Sequence, residues 1–233
     1  QKKHFRKQQL SDAFSQELLA NYLKNLDGNK LLFTQADVDG FKALYGNQFD
    51  DDLKSGKLTA ARAIYQLYYT RQLDRLDWLA DQVDKVTKTE TFTGNDVVEI
   101  DREESPWPKD QAEADALWLA QLKNSIIALR LADKPVDNIS ETLTKRYRAQ
   151  TDRWLKLTAW DHFETFINSF TSMYDPHTSY MSPRTSEDFN ISMALSLEGI
   201  GATLEKDGEN TKVTSLVKAG PAEKQGELKA GDL

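Results

Sequence analysis

The residues best suited to do chemistry lie near the end of the chain, in LSLEGIGATLEK, residues 195–206. Gly199 and Gly201 flank Ile200 immediately before an alternating run. A loop with two glycines can turn successive backbone N–H groups into one concavity, and such a nest holds an anion such as a peptide's terminal carboxylate. The strand after it would offer an open edge along which the rest of that peptide could pair. A Gly-x-Gly ahead of a strand is also the mark of an ordinary turn, so the pair alone is weak. Its surroundings strengthen it. Six of the eleven glycines fall in the last 35 residues. KDGEN sits between alternating runs as a hairpin turn, KAGPAEKQG places Pro221 at a helix start with Gly226 near its end, and ELKAGD reads as the approach to a further strand.

Other reactive groupings carry less. Asp175, His177 and Ser179 would make a triad by type, but their closeness in one loop opposes the geometry, because triads are assembled from distant segments. With no Cys, thiolate metal sites, disulfides and Cys nucleophiles are excluded. His4, His162 and His177 are far apart and lack ligand spacing, so no metal and no cofactor is expected. The carboxylates fall mostly on solvent-facing helix positions, which argues against a metal hydrolase or a sugar-cleaving enzyme. A net charge of −7 disfavours a broad nucleic-acid surface, and the basic start QKKHFRK reads as a solvated terminal segment. No apolar run approaches the roughly 20 residues of a membrane span.

The elements that would carry this tail are helical. Ser11 is a candidate N-cap for a helix burying Phe14, Leu18, Leu19, Tyr22 and Leu26, with Gly28 as its stop. Thr34-x-x-Asp37 opens a shorter helix to about Tyr45. The longest pattern runs from Leu58 to about Val86, with a stripe of Ile64, Leu67, Tyr68, Leu76, Leu79 and Val83. Arg62, Arg71, Asp74, Arg75 and Asp81 fall mostly off that stripe. The tyrosines of YQLYY are expected to pack in a core and its rim. Residues 87–110 break the rhythm: DVVEI predicts a short strand, and SPWP predicts an ordered turn with Trp107 as an anchor. Further helices are expected from about Gln111 to Leu131, from about Ser140 to Leu155, and from Thr158 to Met173, with His162 at the surface or half-buried. Leu117, Trp118, Leu122, Ile126 and Leu129 should point inward on the first of these. YDPHTSYMSPR is an ordered loop, Thr185-x-x-Asp188 opens one helical turn, and strands are expected from Met193 onward.

DPHTSYMSPRTSEDF followed by LSLEGIGATL resembles the approach to the PDZ domain of carboxyl-terminal processing proteases. FTGNDVVEIDREESPWPKDQAEADALW and ETLTKRYR are similar to the periplasmic tail-specific (Prc-type) branch of that family, and the likeness covers nearly the whole chain. The resemblance implies a mainly α fold, with a multi-helix N-terminal domain at 1–173, a connecting loop and short helix at 174–192, and the incomplete β-rich start of a PDZ domain at 193–233. By position, Gly199, Ile200 and Gly201 match the carboxylate-binding loop, and Ala202, Thr203 and Leu204 match the peptide-pairing strand. Leu195 and Leu197 would help join that domain to its neighbours. The family's peptidase domain uses a serine nucleophile with an unprotonated lysine as general base. Both lie beyond Leu233 by this reading, so no catalytic residue falls in the segment and the fragment itself is expected to be inactive. The resemblance further implies protein substrates bound through apolar C-termini, a periplasmic location, a lipoprotein adaptor in some members, and membrane association without a transmembrane segment. The competing reading is a stand-alone helical interaction or adaptor protein without protease activity.

Overall fold

A computed structural model describes residues 8–194, 199–207 and 210–233. Among them are nine helices and one two-stranded sheet, in two compact units, 1–180 and 181–233. The first unit is all helical. Ser11 caps α1 (Asp12–Leu26) by accepting from the N–H of Phe14, as its position predicts. The helix ends before Gly28 because Asp27 interrupts it. The buried Asp27 carboxylate accepts from the N–H groups of Leu31, Leu32 and Phe33 at 2.8, 2.8 and 2.9 Å. One side chain thus satisfies three buried donors of a non-helical turn. Burial raises the Asp27 pKa, and those N–H groups together with the Arg71 charge oppose the rise.

Thr34 and Asp37 form the expected capping box at the start of α2 (Gln35–Tyr45). A helix that the periodicity missed follows, α3 (Phe49–Ser55). It is too short for a visible stripe, but Asp50, Asp51 and Asp52 in its first turn favour the positive helix end, and Gly56 stops it at φ +69°. It is tied in on both sides: Ser15 Oγ accepts from the Phe49 N–H at 2.7 Å, and Asp52 Oδ2 from the Ala60 N–H at 3.0 Å.

The spine is α4 (Thr59–Thr89), 31 residues without glycine or proline, so about 46 Å long at 1.5 Å per residue. It serves two cores. Its first half contributes Ala60, Ala61, Ile64 and Tyr65 to a cluster with α1 and with Phe166 of α7 (Ala159–Thr171). Aromatic edges and faces interlock there, with Tyr22 against Phe166 at 5.3 Å and Phe49 stacked on Phe166 at 5.6 Å. Trp107 packs on this cluster as the expected anchor, 6.1 Å from Phe33. The second half of α4 contributes Leu76, Leu79, Val83 and Val86 to a cluster with α5 (Gln111–Leu131) and α6 (Val136–Leu155). On α5, Leu122 and Ile126 are buried, while Leu117, Trp118 and Leu129 are only partly so. Helix α6 starts directly after Pro135, before the expected Ser140.

Two expectations for this unit fail. DVVEI forms no strand: Val97 is 90% and Ile100 78% exposed, and among the described residues of this unit there is no strand to complete a ladder. Ion pairs hold the segment instead, Lys123 with Glu90 and Asp96, and Arg102 with Glu99. Nor do Arg71 and Arg75 stay off the buried stripe. Arg71 grips Asp37 through both terminal nitrogens at 2.5 and 2.8 Å and also donates to the Leu32 carbonyl. Arg75 is buried, pairs with Asp115 at 2.5 Å, and lies over the rings of Trp78 and Trp118. Desolvation pushes the Asp115 pKa up, yet hydrogen bonds from Arg75 and Gln111 outweigh it and the net shift is downward. His162 is half-buried as expected, its ring stacked 3.6 Å from that of Tyr65 and its Nε2 buried without a hydrogen-bond partner. Burial lowers its pKa, Asp161 opposing the shift and Arg62 adding to it.

In the second unit, Pro183–Ala194 form α8, so the expected single turn extends over 12 residues and the strands begin later than Met193. Ser182 starts it, its Oγ accepting from the Thr185 N–H.

Two outcomes follow from this packing. Asp27→Ala leaves three buried N–H groups without partners and should cost about 3 kcal/mol in urea unfolding; a loss under about 1 kcal/mol would show that those groups find other acceptors. For His162, the unfolded imidazole takes up its proton first as pH falls through its usual value of 6.5. Stability is therefore present above that value and lost below it, down to the lowered folded pKa. His162→Phe should flatten the change in melting temperature between about pH 7.5 and about pH 5; an unaltered slope would exclude this residue as its source.

Candidate peptide-binding loop and strand

The glycine-rich tail folds as a hairpin followed by a short helix. β1 (Ala202–Asp207) pairs antiparallel with β2 (Asn210–Leu216), from Asp207 opposite Asn210 to Ala202 opposite Leu216. The register slips between Thr203 and Leu204, leaving Thr214 as the extra residue of a bulge; its Oγ1 donates to the Thr203 carbonyl at 3.1 Å. Leu204 faces Val213 across the ladder, and Val213 and Ala222 are the buried apolar residues among the described residues of this unit.

The loop 199–201 is fastened by its carbonyls. The Ala222 N–H donates to the Ile200 carbonyl and the Val217 N–H to the Gly201 carbonyl, both at 2.8 Å. Ala222 belongs to α9 (Pro221–Gln225), which starts with Pro221 at its first position and ends at Gly226 with φ +78°. The chain passes itself closely here. Gly201 has φ +77°, and a Cβ on it would meet Pro221 Cδ at 3.0 Å and Gly220 Cα at 3.2 Å. A Cβ on Gly220 would meet the Val217 carbonyl oxygen at 2.8 Å. Gly199, by contrast, faces open space.

The carbonyls of Ile200 and Gly201 are engaged, while the amides of Gly199, Ile200 and Gly201 have no acceptor among the described residues. Beside them run two apolar side chains that water reaches, Ile200 at 56% and Leu204 at 51% exposed. β1 pairs with β2 alone among the described residues, so its other edge presents unpaired N–H and C=O groups. The far side of β2 is partly occupied. ELKAGD forms no strand, but its end bonds to Val213, the Gly231 N–H donating to the Val213 carbonyl at 2.7 Å and the Val213 N–H to the Asp232 carbonyl at 2.8 Å. Free amides at the head of an open strand, next to exposed apolar side chains, are chemically suited to a chain end with a carboxylate and an apolar last residue.

The predicted loop and strand residues, Gly199 to Leu204, are thus contiguous in one hairpin. Leu195, Leu197 and the turn glycine Gly208 lie outside the described residues. Val217, Gly220 and Ala222, which hold the loop, were not singled out from sequence; the AGPA stretch carried the only signal of them. The Asp175 carboxylate accepts from the His177 backbone N–H at 3.0 Å and from the Thr178 hydroxyl at 3.3 Å, a loop turn rather than a triad. No group of three metal-ligating side chains occurs among the described residues, and no described helix is long and apolar enough to cross a membrane.

Residues 1–184 match the family described as the tail specific protease N-terminal domain. A tail-specific protease of Haemophilus influenzae is 41% identical over 229 residues, which is 98% of this chain and 32% of that protein. A carboxy-terminal processing protease, CtpA, of Bacillus subtilis is 43% identical over 56 residues, 24% of this chain and 12% of the relative. A probable CtpA-like serine protease of Staphylococcus saprophyticus is 30% identical over 93 residues, 40% of this chain and 18% of the relative. The chain therefore spans about a third of the length of the Haemophilus relative and less of the others.

The two close-approach glycines make different demands from Gly199. Gly201→Ala should loosen the hairpin by about 1 kcal/mol or more, since both φ and the space oppose a side chain. Hydrogen exchange at the Val217 amide should then speed up about tenfold, while Gly199→Ala leaves it unchanged. Equal effects of the two substitutions would refute the clamp.

Proposed function

Because this chain belongs to the tail-specific protease family, with residues 1–184 as that family's N-terminal domain, we propose that it is the helical scaffold and part of the substrate sensor of a serine endopeptidase that acts on proteins with apolar C-termini. The observation that carries the proposal is the set of three amides at Gly199, Ile200 and Gly201, without acceptors among the described residues at the head of the open-edged β1. A terminal carboxylate would accept from these amides. The chain behind it would add a strand along Ala202, Thr203 and Leu204, and its last apolar side chain would lie near Ile200 and Leu204. Backbone pairing makes the site tolerant of sequence, and the carboxylate makes it specific for ends.

On this reading residues 193–233 are the start of a PDZ domain, residues 1–173 the helical domain and 174–192 the connector. The hydrolytic serine and its lysine base belong to sequence after Leu233. That base must lose its proton to activate the hydroxyl, which requires a lysine pKa held down by burial or by neighbouring positive charge. The names of the relatives, which include serine protease, support this chemistry. A periplasmic location belongs to the same reading and is compatible with a chain free of cysteine; a lipoprotein adaptor is an extension of it that rests on the family resemblance alone.

Titration of an apolar-ended peptide as the free acid and as the C-terminal amide tests the sensor. The acid should bind about tenfold more tightly or better, the charge-assisted bonds to the amides being worth roughly 1.5–3 kcal/mol. Equal binding of both forms would defeat the assignment. In the parent gene, replacing the downstream serine by alanine should abolish cleavage of a tail-bearing protein; retained cleavage would defeat the serine mechanism.

A further inference from the structure

The first unit carries a second concavity, far in sequence from the glycine loop. It lies between α4 and the start of α7 and has a volume of about 660 Å³, within the range of about 300–1,000 Å³ typical of ligand sites. Its walls include the rings of Tyr65, Trp160, His162, Phe163 and Phe166. The mouth leaves apolar surface in water: Trp160 is 55% exposed and Leu157 37%.

The mouth carries both signs of charge, with cations in excess. Arg62 lines the cavity and is exposed. Lys57 and Lys156 are exposed too, and each directly precedes a lining residue, Leu58 and Leu157. None of the three makes an ion pair among the described residues. Asp161, the acid of the adjoining helix turn, accepts from the backbone N–H and hydroxyl of Thr158. Glu164, one turn on, is half-buried and also has partners. In a chain of net charge −7, Arg62 on the wall and the two lysines next to lining residues, set against Asp161 and Glu164, leave a local excess of positive charge. Gln66 on the wall is exposed, and its carboxamide has no partner among the described residues, so it can both donate to and accept from a peptide group.

We propose that this cavity binds a peptide segment in which an aromatic or large aliphatic side chain is flanked by carboxylates. The apolar side chain enters among the rings, where edge-to-face contacts favour flat groups. The carboxylates meet Arg62, Lys57 and Lys156, and Gln66 bonds the peptide backbone. A fatty acid would match the charge but has no second polar group for Gln66. The site is separate from the carboxylate loop, because it reads an internal segment rather than a chain end.

The test uses the 233-residue chain and a fluorescein-labelled hexapeptide amide, Glu-Asp-Phe-Leu-Glu-Asp. The amide removes the terminal carboxylate on which the loop depends, so failure at either site is distinguishable. Polarisation should show saturable binding. Arg62→Glu and Trp160→Ala, both at exposed positions, should each weaken binding about tenfold or more while leaving the thermal melt in place. A probe with Gln and Asn in place of the acids should weaken to a similar degree. Binding indifferent to both substitutions would overturn the proposal, as would displacement of the probe by palmitate at lower concentration than by unlabelled peptide. So would a dimer in sedimentation that Trp160→Ala dissolves, since the occupant would then be a second copy.

Discussion

One unbroken helix is shared by two apolar cores, and the helical domain depends on it. Helix α4 can run 31 residues because nothing in it lacks an N–H or favours φ above zero. Its ends would otherwise belong to two separate small bundles, each with little surface to bury. Sharing one rigid rod fixes α1 and α7 at one end relative to α5 and α6 at the other. Between the two cores the rod cannot be purely apolar, since the loops from Asp27 to Thr34 and from Pro106 to Asp110 arrive there with polar backbone. Arg71 meets that need at the Leu32 carbonyl, and Arg75, one turn on, lies against the rings of Trp78 and Trp118. Each is paired with an aspartate from another helix, and Arg71 also takes a carbonyl from the Leu31–Phe33 turn that Asp27 organises. A buried guanidinium is tolerable only with such partners, and removing one partner costs more than the pair contributes.

The tail obeys a different economy. Its hairpin buries little, with Val213 and Ala222 as its buried apolar side chains. Its order comes from backbone bonds and from glycines that let two stretches touch. Gly201 and Gly220 pass so closely that a methyl on either would collide with main chain or with Pro221. That approach places the Ala222 and Val217 amides on the carbonyls of Ile200 and Gly201. The peptide group that gives the Ile200 carbonyl to Ala222 also carries the Gly201 N–H, which has no acceptor among the described residues. The bond that holds the loop at Ile200 thus also fixes the peptide plane of the Gly201 amide.

Much of this was legible in the sequence where the cause is local. Thr34-x-x-Asp37 and Thr158-x-x-Asp161 each close a capping box within four residues, and both formed. Ser11 caps α1, and Pro221 with Gly226 brackets α9. The glycine cluster correctly announced a change from helix to hairpin. Legibility failed where a distant neighbour decided. DVVEI has the composition of a strand, but no edge lies beside it, so two β-branched residues stay in water. Helix α3 shows no stripe because its order comes from Ser15 and from Asp52 reaching across. Arg75 reads as surface by type, yet lies buried between Trp78 and Trp118 with Asp115 at its tip.

By itself the sequence determined most of the helical segments, where most of those start, and that the last 35 residues are built differently. These follow from backbone donors and acceptors that are satisfied or freed within a few residues of themselves. Only the tertiary structure decided that Gly220 must sit against Gly201, that among the described residues β1 pairs with β2 alone while Val213 of β2 also bonds the chain end, and that α4 and α7 leave an aromatic hollow with Arg62 on its wall. Each of those depends on two surfaces distant along the chain arriving together. Short-range pattern carries no record of that meeting, because the energy that selects it comes from excluded water and close packing rather than from local bonds.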